Sequence, residues 1–304
     1  MTRRQLIQRC ALVGAALLPV PAFAADEAPP VITLGKGHFA VTDPKVNPGK
    51  PLTVWYYLPV DKEAAKIPIL FVMHGTLRNG EDYRNQWMDL AQKHGVLLLV
   101  PEFSRADYPG GKYNRGNVLG EDDKSPQPPD TWTFAVIERL FDHVKQITGN
   151  KNRRYDLYGH SAGGQFVHRL ALLAPQARCR RAVAANAGYY TLPTLTGPDP
   201  YPFSLRNTPS TGETLKTDFG KELIVLLGEE DIDPKDPDLY HSSEADRQGL
   251  YRLARGKFFY KTGRDAAAAM NAKFRWRLVT VPGVGHSNER MAVAAAEALY
   301  GKQH

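Results

Sequence analysis

Hydrophobic residues along the chain fall into two alternating patterns. Short runs with almost no polar member occur at residues 67–73, 96–100 and 223–228, each closed by a polar, Pro or Gly residue. Such runs suit strands covered on both faces, as in the middle of a parallel sheet. Between them the spacing turns helical. Residues 81–94 read as a helix closed by Gly95, Ile137, Leu140, Phe141, Val144 and Ile147 form one stripe with Asp130-Thr131-Trp132 as its cap, and further helices follow at 165–174 and from Asn288 to about Tyr300. Alternating segments at 52–58 and 274–281, a short run at 181–187 and a first hairpin or edge pair at 31–34 and 38–41 complete the strands. Strands that take turns with helices predict an α/β fold, with a mostly parallel central sheet and helices on both faces.

Three stretches depart from this rhythm. Residues 102–129 are dense in Gly, Pro, Asp and aromatics, and residues 188–220 are rich in Pro, Thr, Gly and Tyr with no periodic element. Both read as loop insertions of one domain spanning residues 25–304, bordering a site at the carboxyl ends of the strands. Residues 241–270 are polar and helical, and read as an excursion from the domain.

The N-terminus has another character. Residues 1–9 carry Arg3, Arg4 and Arg9, residues 11–20 are apolar, and Ala22-Phe23-Ala24 is a cleavage pattern. Residues 1–24 therefore read as a signal peptide, too short to remain as a membrane span, and the mature chain is expected to be exported to the periplasm or beyond. Arg3 and Arg4 with Leu6 and Ile7 resemble a twin-arginine signal; a basic Sec signal is the other reading. Cleavage would lower the formal charge of +7 by those three arginines, and no concentrated basic stripe suggests nucleic acid. Cys179 would be the one cysteine left, either a buried structural thiol or a lone reactive one.

The chemistry centres on Gly159-His160-Ser161-Ala162-Gly163, between a strand and a helix. A reversal this tight strains the apex residue and tolerates only small neighbours, so Ser161 is lifted toward solvent as a nucleophile elbow. A bare Gly-x-Ser-x-Gly arises by accident in about one chain in ten of this length, and an ordinary capping serine is the bland alternative. The order of the other parts gives the motif its weight. His74-Gly75-Thr76 follows a buried strand, where the Thr76 N–H joins the Ala162 N–H as an oxyanion hole. Asp231 follows the strand at 223–228, and His286 stands in a Gly-rich loop after the last strand. Serine needs a base, and the base needs a group that fixes its tautomer. Ser161, His286 and Asp231 supply these, with Asp233 as a competitor for the acid. His74 and His160 read as structural. Spaced acids at Asp231, Asp233, Asp236 and Asp238 also leave a calcium loop open, although the EF-hand pattern is missing.

With these motifs, the chain resembles the α/β-hydrolase superfamily, and within it the branch of polyhydroxyalkanoate depolymerases and of feruloyl or acetylxylan esterases. The resemblance extends over nearly all of residues 25–304, but disulfides common among some of those enzymes have no counterpart here. It implies a secreted serine hydrolase that cleaves a small ester or polyester through an acyl-enzyme, with no metal and no cofactor. A peptidase or amidase would use the same triad, and a non-catalytic binding protein could keep the same fold.

Overall fold

The computed structural model describes residues 30–301 except 121 and 123, so the expected signal peptide at 1–24 lies outside the described residues. Eight strands form one sheet there: β1 (Gly35–Thr42), β2 (Pro51–Leu58), β3 (Ile69–Met73), β4 (Leu97–Glu102), β5 (Tyr155–His160), β6 (Cys179–Ala185), β7 (Glu222–Gly228) and β8 (Arg277–Val281). Their spatial order is β1-β2-β4-β3-β5-β6-β7-β8. β2 runs antiparallel to both neighbours, and every pairing from β4 to β8 is parallel.

The apolar runs become the two-sided strands that their composition requires. In β3 every residue is buried, and the side chains divide by the strand period. Leu70 and Val72 join the core beneath α1 (Gly80–His94) and α7 (Asn288–Tyr300), with Trp87 and Met291. Ile69, Phe71 and Met73 join the opposite core, with Phe141 of α2 (Thr133–Thr148), Phe166 of α3 (Ala162–Leu173) and Phe259 of α6 (Arg252–Ala269). α1 ends as expected, with Gly95 in the left-handed region at φ 63°.

Several expectations are corrected. Residues 31–34 form no strand, because β1 pairs with the full length of β2 instead. β4 passes through Pro101 rather than stopping before it; β3 pairs with β4 only as far as Leu99, so the missing proline N–H costs no ladder bond on that side. Asp130 does not cap α2: its carboxylate faces Lys45 at 3.3 Å, and Trp132 takes the cap position without a side-chain bond. The stretch at 188–220 holds a helix, α4 (Gly212–Phe219), started by a reciprocal Thr211–Thr214 capping box and buried through Leu215 and Phe219.

The 241–270 segment is no excursion either. After the short α5 (Ser243–Gln248), α6 lies against the sheet so closely that a Cβ on Gly256 would come 2.4 Å from Leu227 of β7. Phe259 stacks on Trp276 with ring centroids 5.2 Å apart. The segment reads as polar because its buried face includes Arg252 and Arg255, whose charges are met inside the fold by Asp231, on the loop after β7, and by Asp246 of α5.

Candidate active site

Glycines decide the geometry of the turn after β5. A Cβ on Gly159 would lie 2.3 Å from the Gly163 carbonyl, one on Gly163 2.0 Å from that of Met73, and one on Gly164 2.5 Å from that of Ala185. Only hydrogen fits at these approaches, and the closure leaves Ser161 at φ 58°, ψ −116°. Ser161 occupies the N-cap of α3, yet its side chain accepts no cap bond. The capping-serine alternative therefore fails, and the hydroxyl faces a cleft of about 690 Å³ that Thr76 and Ala162 also line.

The Thr76 and Ala162 amides donate to no backbone or side-chain acceptor among the described residues. The loop is held at the following peptide, where Arg105 Nη2 donates to the Thr76 carbonyl at 2.8 Å. Beneath this loop His74 is fully buried: its Nδ1 bonds the Gly75 carbonyl at 3.1 Å, and its Nε2 accepts from the Phe103 N–H at 3.0 Å. That pattern requires the neutral tautomer with the proton on Nδ1. Burial pushes the His74 pKa down to about 3, in accord with a structural histidine.

At the carboxyl ends of β7 and β8 the acid and the imidazole meet. Asp231 Oδ2 lies 2.7 Å from His286 Nδ1, and Asp231 is only 4% exposed. Asp233 is exposed and accepts from the Lys235 N–H at 2.8 Å, which leaves Asp231 as the carboxylate beside the ring. The two loops are locked together by Asn186, whose Oδ1 accepts from the Gly228 N–H at 2.8 Å and whose Nδ2 donates to the Gly285 carbonyl at 3.1 Å. Asn186 escaped the sequence reading, which placed it inside a strand.

Ser161 and His286 make no direct hydrogen bond in this arrangement. Their loops adjoin through His160, whose ring centroid is 4.5 Å from that of His286. Tyr83 lies behind His160, with its hydroxyl 3.3 Å from Nδ1. Burial first, then the nearby His286 and Arg252, holds the His160 pKa well below the ordinary value. His168, also unremarked in the sequence, is buried between the Gly164 carbonyl (2.9 Å) and the Thr191 N–H (2.9 Å), and ties α3 to the segment that follows β6.

These buried neutral histidines give a testable pH dependence. Their pKa values are lowered by folding, with His74 at about 3 against an ordinary value of 6.5, so below about pH 6.5 the unfolded chain binds more protons than the native one. Stability is complete above that pH and is lost as pH falls toward 3. Thermal unfolding across this range is expected to show a steadily falling midpoint, and a flat profile would contradict neutral burial.

Among the described residues no group of three or more His, Cys, Asp or Glu is placed to hold a metal ion. Of the four acids in the 231–238 loop, Asp231 and Asp236 converge on Arg252. Burial pushes the Cys179 thiol up, which disfavours the thiolate and hence the reactive reading. A second, apolar pocket of about 390 Å³ lies between α2, the end of α3 and the start of α4, away from Ser161 and His286. No described helix is long and apolar enough to cross a membrane.

No protein-family model matches the chain, and no curated protein sequence matches it. Solved structures do. Poly(aspartic acid) hydrolase-1 from Sphingomonas sp. KT-1 is 44% identical with a TM-score of 0.83, over 89% of this chain and 100% of that one. A poly(3-hydroxybutyrate) depolymerase from Bordetella parapertussis is 34% identical with a TM-score of 0.82, over 90% and 92%. An S-formylglutathione hydrolase from Agrobacterium tumefaciens, at 15% identity and a TM-score of 0.56 over 87% and 92%, shares the fold. The resemblance first drawn from the elbow and the order of its companions thus holds across the described chain. The chain belongs to the α/β-hydrolase superfamily, in the branch that includes the poly(aspartic acid) hydrolase and the poly(3-hydroxybutyrate) depolymerase.

Proposed function

We propose that this hydrolase is a serine esterase in which Ser161 is the nucleophile, His286 the base and Asp231 the residue that orients the base. Ser161 Oγ attacks the ester carbonyl while its proton passes to His286 Nε2. The Asp231 carboxylate accepts the Nδ1–H and stabilises the imidazolium. Thr76 and Ala162 N–H groups receive the negative oxygen of the tetrahedral intermediate, and each donor of this kind is worth about 3 kcal/mol. The intermediate collapses as His286 gives its proton to the leaving alkoxide, and the acyl group stays on Ser161. Water then attacks, with His286 again as base, and the acid is released. The contact between Ser161 and His286 forms with substrate in place, since such bonds are often long in the free enzyme and tighten in the complex. The reading rests above all on the 2.7 Å Asp231–His286 bond at the same sheet edge as the uncapped, strained Ser161.

A second reading, cleavage of an acidic polyamide, draws support from the cleft itself. Among the described residues its lining includes Arg78 and Arg105, with Arg115 beside them, and the carboxylate Asp238. Such a wall favours substrates that carry carboxylates, and poly(aspartic acid) names the substrate of one relative. Tyr189, Phe203 and Tyr240 also line the cleft, with the Tyr189 ring centroid 5.2 Å from that of Phe203 and 5.4 Å from that of Tyr240 in tilted contacts. We further propose that residues 1–24 direct export and are removed, which N-terminal sequencing of the mature protein checks.

Purified protein is to be tested on p-nitrophenyl butyrate, poly(3-hydroxybutyrate), poly(aspartic acid) and a p-nitroanilide. Turnover of the two esters is expected. Cleavage of poly(aspartic acid) that weakens as ionic strength rises would favour the second reading. Folded protein that turns over none of the four would overturn both.

A further inference from the structure

We propose that Arg252 is a positioning residue of the catalytic relay, fixing the Asp231 carboxylate so that a single oxygen faces His286. The proposal rests on the triad reading above and assigns a role to a side chain that the reading does not need. Among the described residues the Asp231 carboxylate has two hydrogen-bond partners, one for each oxygen. His286 Nδ1 meets Oδ2 at 2.7 Å, and Arg252 Nη1 meets Oδ1 at 3.2 Å. The same Nη1 meets Asp236 Oδ2 at 2.7 Å. With Oδ1 held by Arg252, the carboxylate keeps Oδ2 turned toward His286, and the guanidinium charge sits one carboxylate away from the imidazole.

The mount for this guanidinium is rigid. Arg252 is the first residue of α6, and the next N–H, that of Leu253, donates to the Asp231 carbonyl at 3.2 Å. One helix turn therefore grips both the main chain and the side chain of the acid. Arg255, fully buried three residues later, anchors that turn through the Gly188 carbonyl at 2.6 Å, the Tyr240 carbonyl at 2.7 Å and Asp246 at 2.7 Å. Gly188 and Tyr240 line the cleft, so the support of the acid and one wall of the cleft share a single fixture.

A purely structural ion pair explains Arg252 less well. The side chain is 1% exposed, and its Nε and Nη2 have no partner among the described residues, an arrangement that costs stability. What the arrangement supplies is charge balance around His286. The titratable and charged groups facing that ring are Asp231 and Asp236 on the loop after β7, with Glu230 beside them, Arg252 at the head of α6, and His160 at the end of β5 with Tyr83 of α1 behind it. A cation there disfavours imidazolium, and an anion favours it. Loss of Arg252 must therefore move the acid limb of the reaction to higher pH, and loss of the Asp236 charge must move it lower.

The experiment measures the rate of Ser161 labelling by a fluorophosphonate from pH 4 to 9, so no natural substrate is needed. Arg252→Met is expected to shift the acid limb upward by about one pH unit, which is about a tenfold slower rate on the acid side. Asp236→Asn is expected to shift it downward, and Arg252→Lys to return it toward the native position. Asp236 lies on a partly exposed loop, so this variant keeps the test open even if Arg252→Met fails to fold. Equal slowing at all pH, or an acid limb that Asp236→Asn and Arg252→Lys leave unmoved, would overturn the role of Arg252. Absence of labelling in the native protein at every pH would instead overturn the triad reading.

Discussion

Ser161→Ala is expected to lower kcat/KM for any ester by at least about 10⁴-fold, with the fold intact. In the proposed mechanism the Ser161 hydroxyl alone forms the acyl bond, so no neighbour can replace it. Stability should change little, because Ser161 makes no cap bond and alanine meets the same positive φ that serine already tolerates. Circular dichroism and unfolding midpoints beside the kinetics check this. Near-native activity in the variant would remove Ser161 from the chemistry, whatever its strained geometry.

Asp231→Asn comes next in size, with an expected loss of about 10⁴-fold in kcat. The amide of asparagine would donate toward His286 Nδ1 and so favour the tautomer whose Nε2 carries the proton. That nitrogen could then no longer accept from Ser161. Asp233→Asn is the paired control: its side chain is exposed and bonded to the Lys235 N–H, so its rate should stay within about twofold of native, as for other surface substitutions. If the two losses were reversed in size, the acid would be misassigned.

Much of this architecture was readable because its signals are local. The elbow shows as a short Gly-rich strand-to-helix turn, even though the carbonyls that exclude a Cβ at Gly163 and Gly164 come from the ends of β3 and β6, and the two-sided strands show as runs such as the one that became β3. Gly95 could be placed at the end of α1 from the helical spacing before it. The misreadings arose where distant partners decide. Arg252 and Arg255 made a packed helix look solvated, because their partners, Asp231 on the loop after β7, the Gly188 carbonyl after β6 and Asp246 of α5, come together only in the fold. Pro101 looked like a strand end, since nothing local tells that β3 has stopped pairing by then. Asn186 and His168 gave no signal at all: their work is to join loops, and loop geometry has no period in sequence. Choosing Asp231 over Asp233 depended on the same missing information.

The central claim is that Ser161 is a nucleophile activated through His286. Its most direct test is to treat folded protein with a fluorophosphonate and map the adduct by peptide mass spectrometry. The account predicts one stoichiometric adduct, on Ser161, lost in His286→Ala. A folded, hydrolytically active protein that carries no adduct, or carries it on another residue, would contradict it.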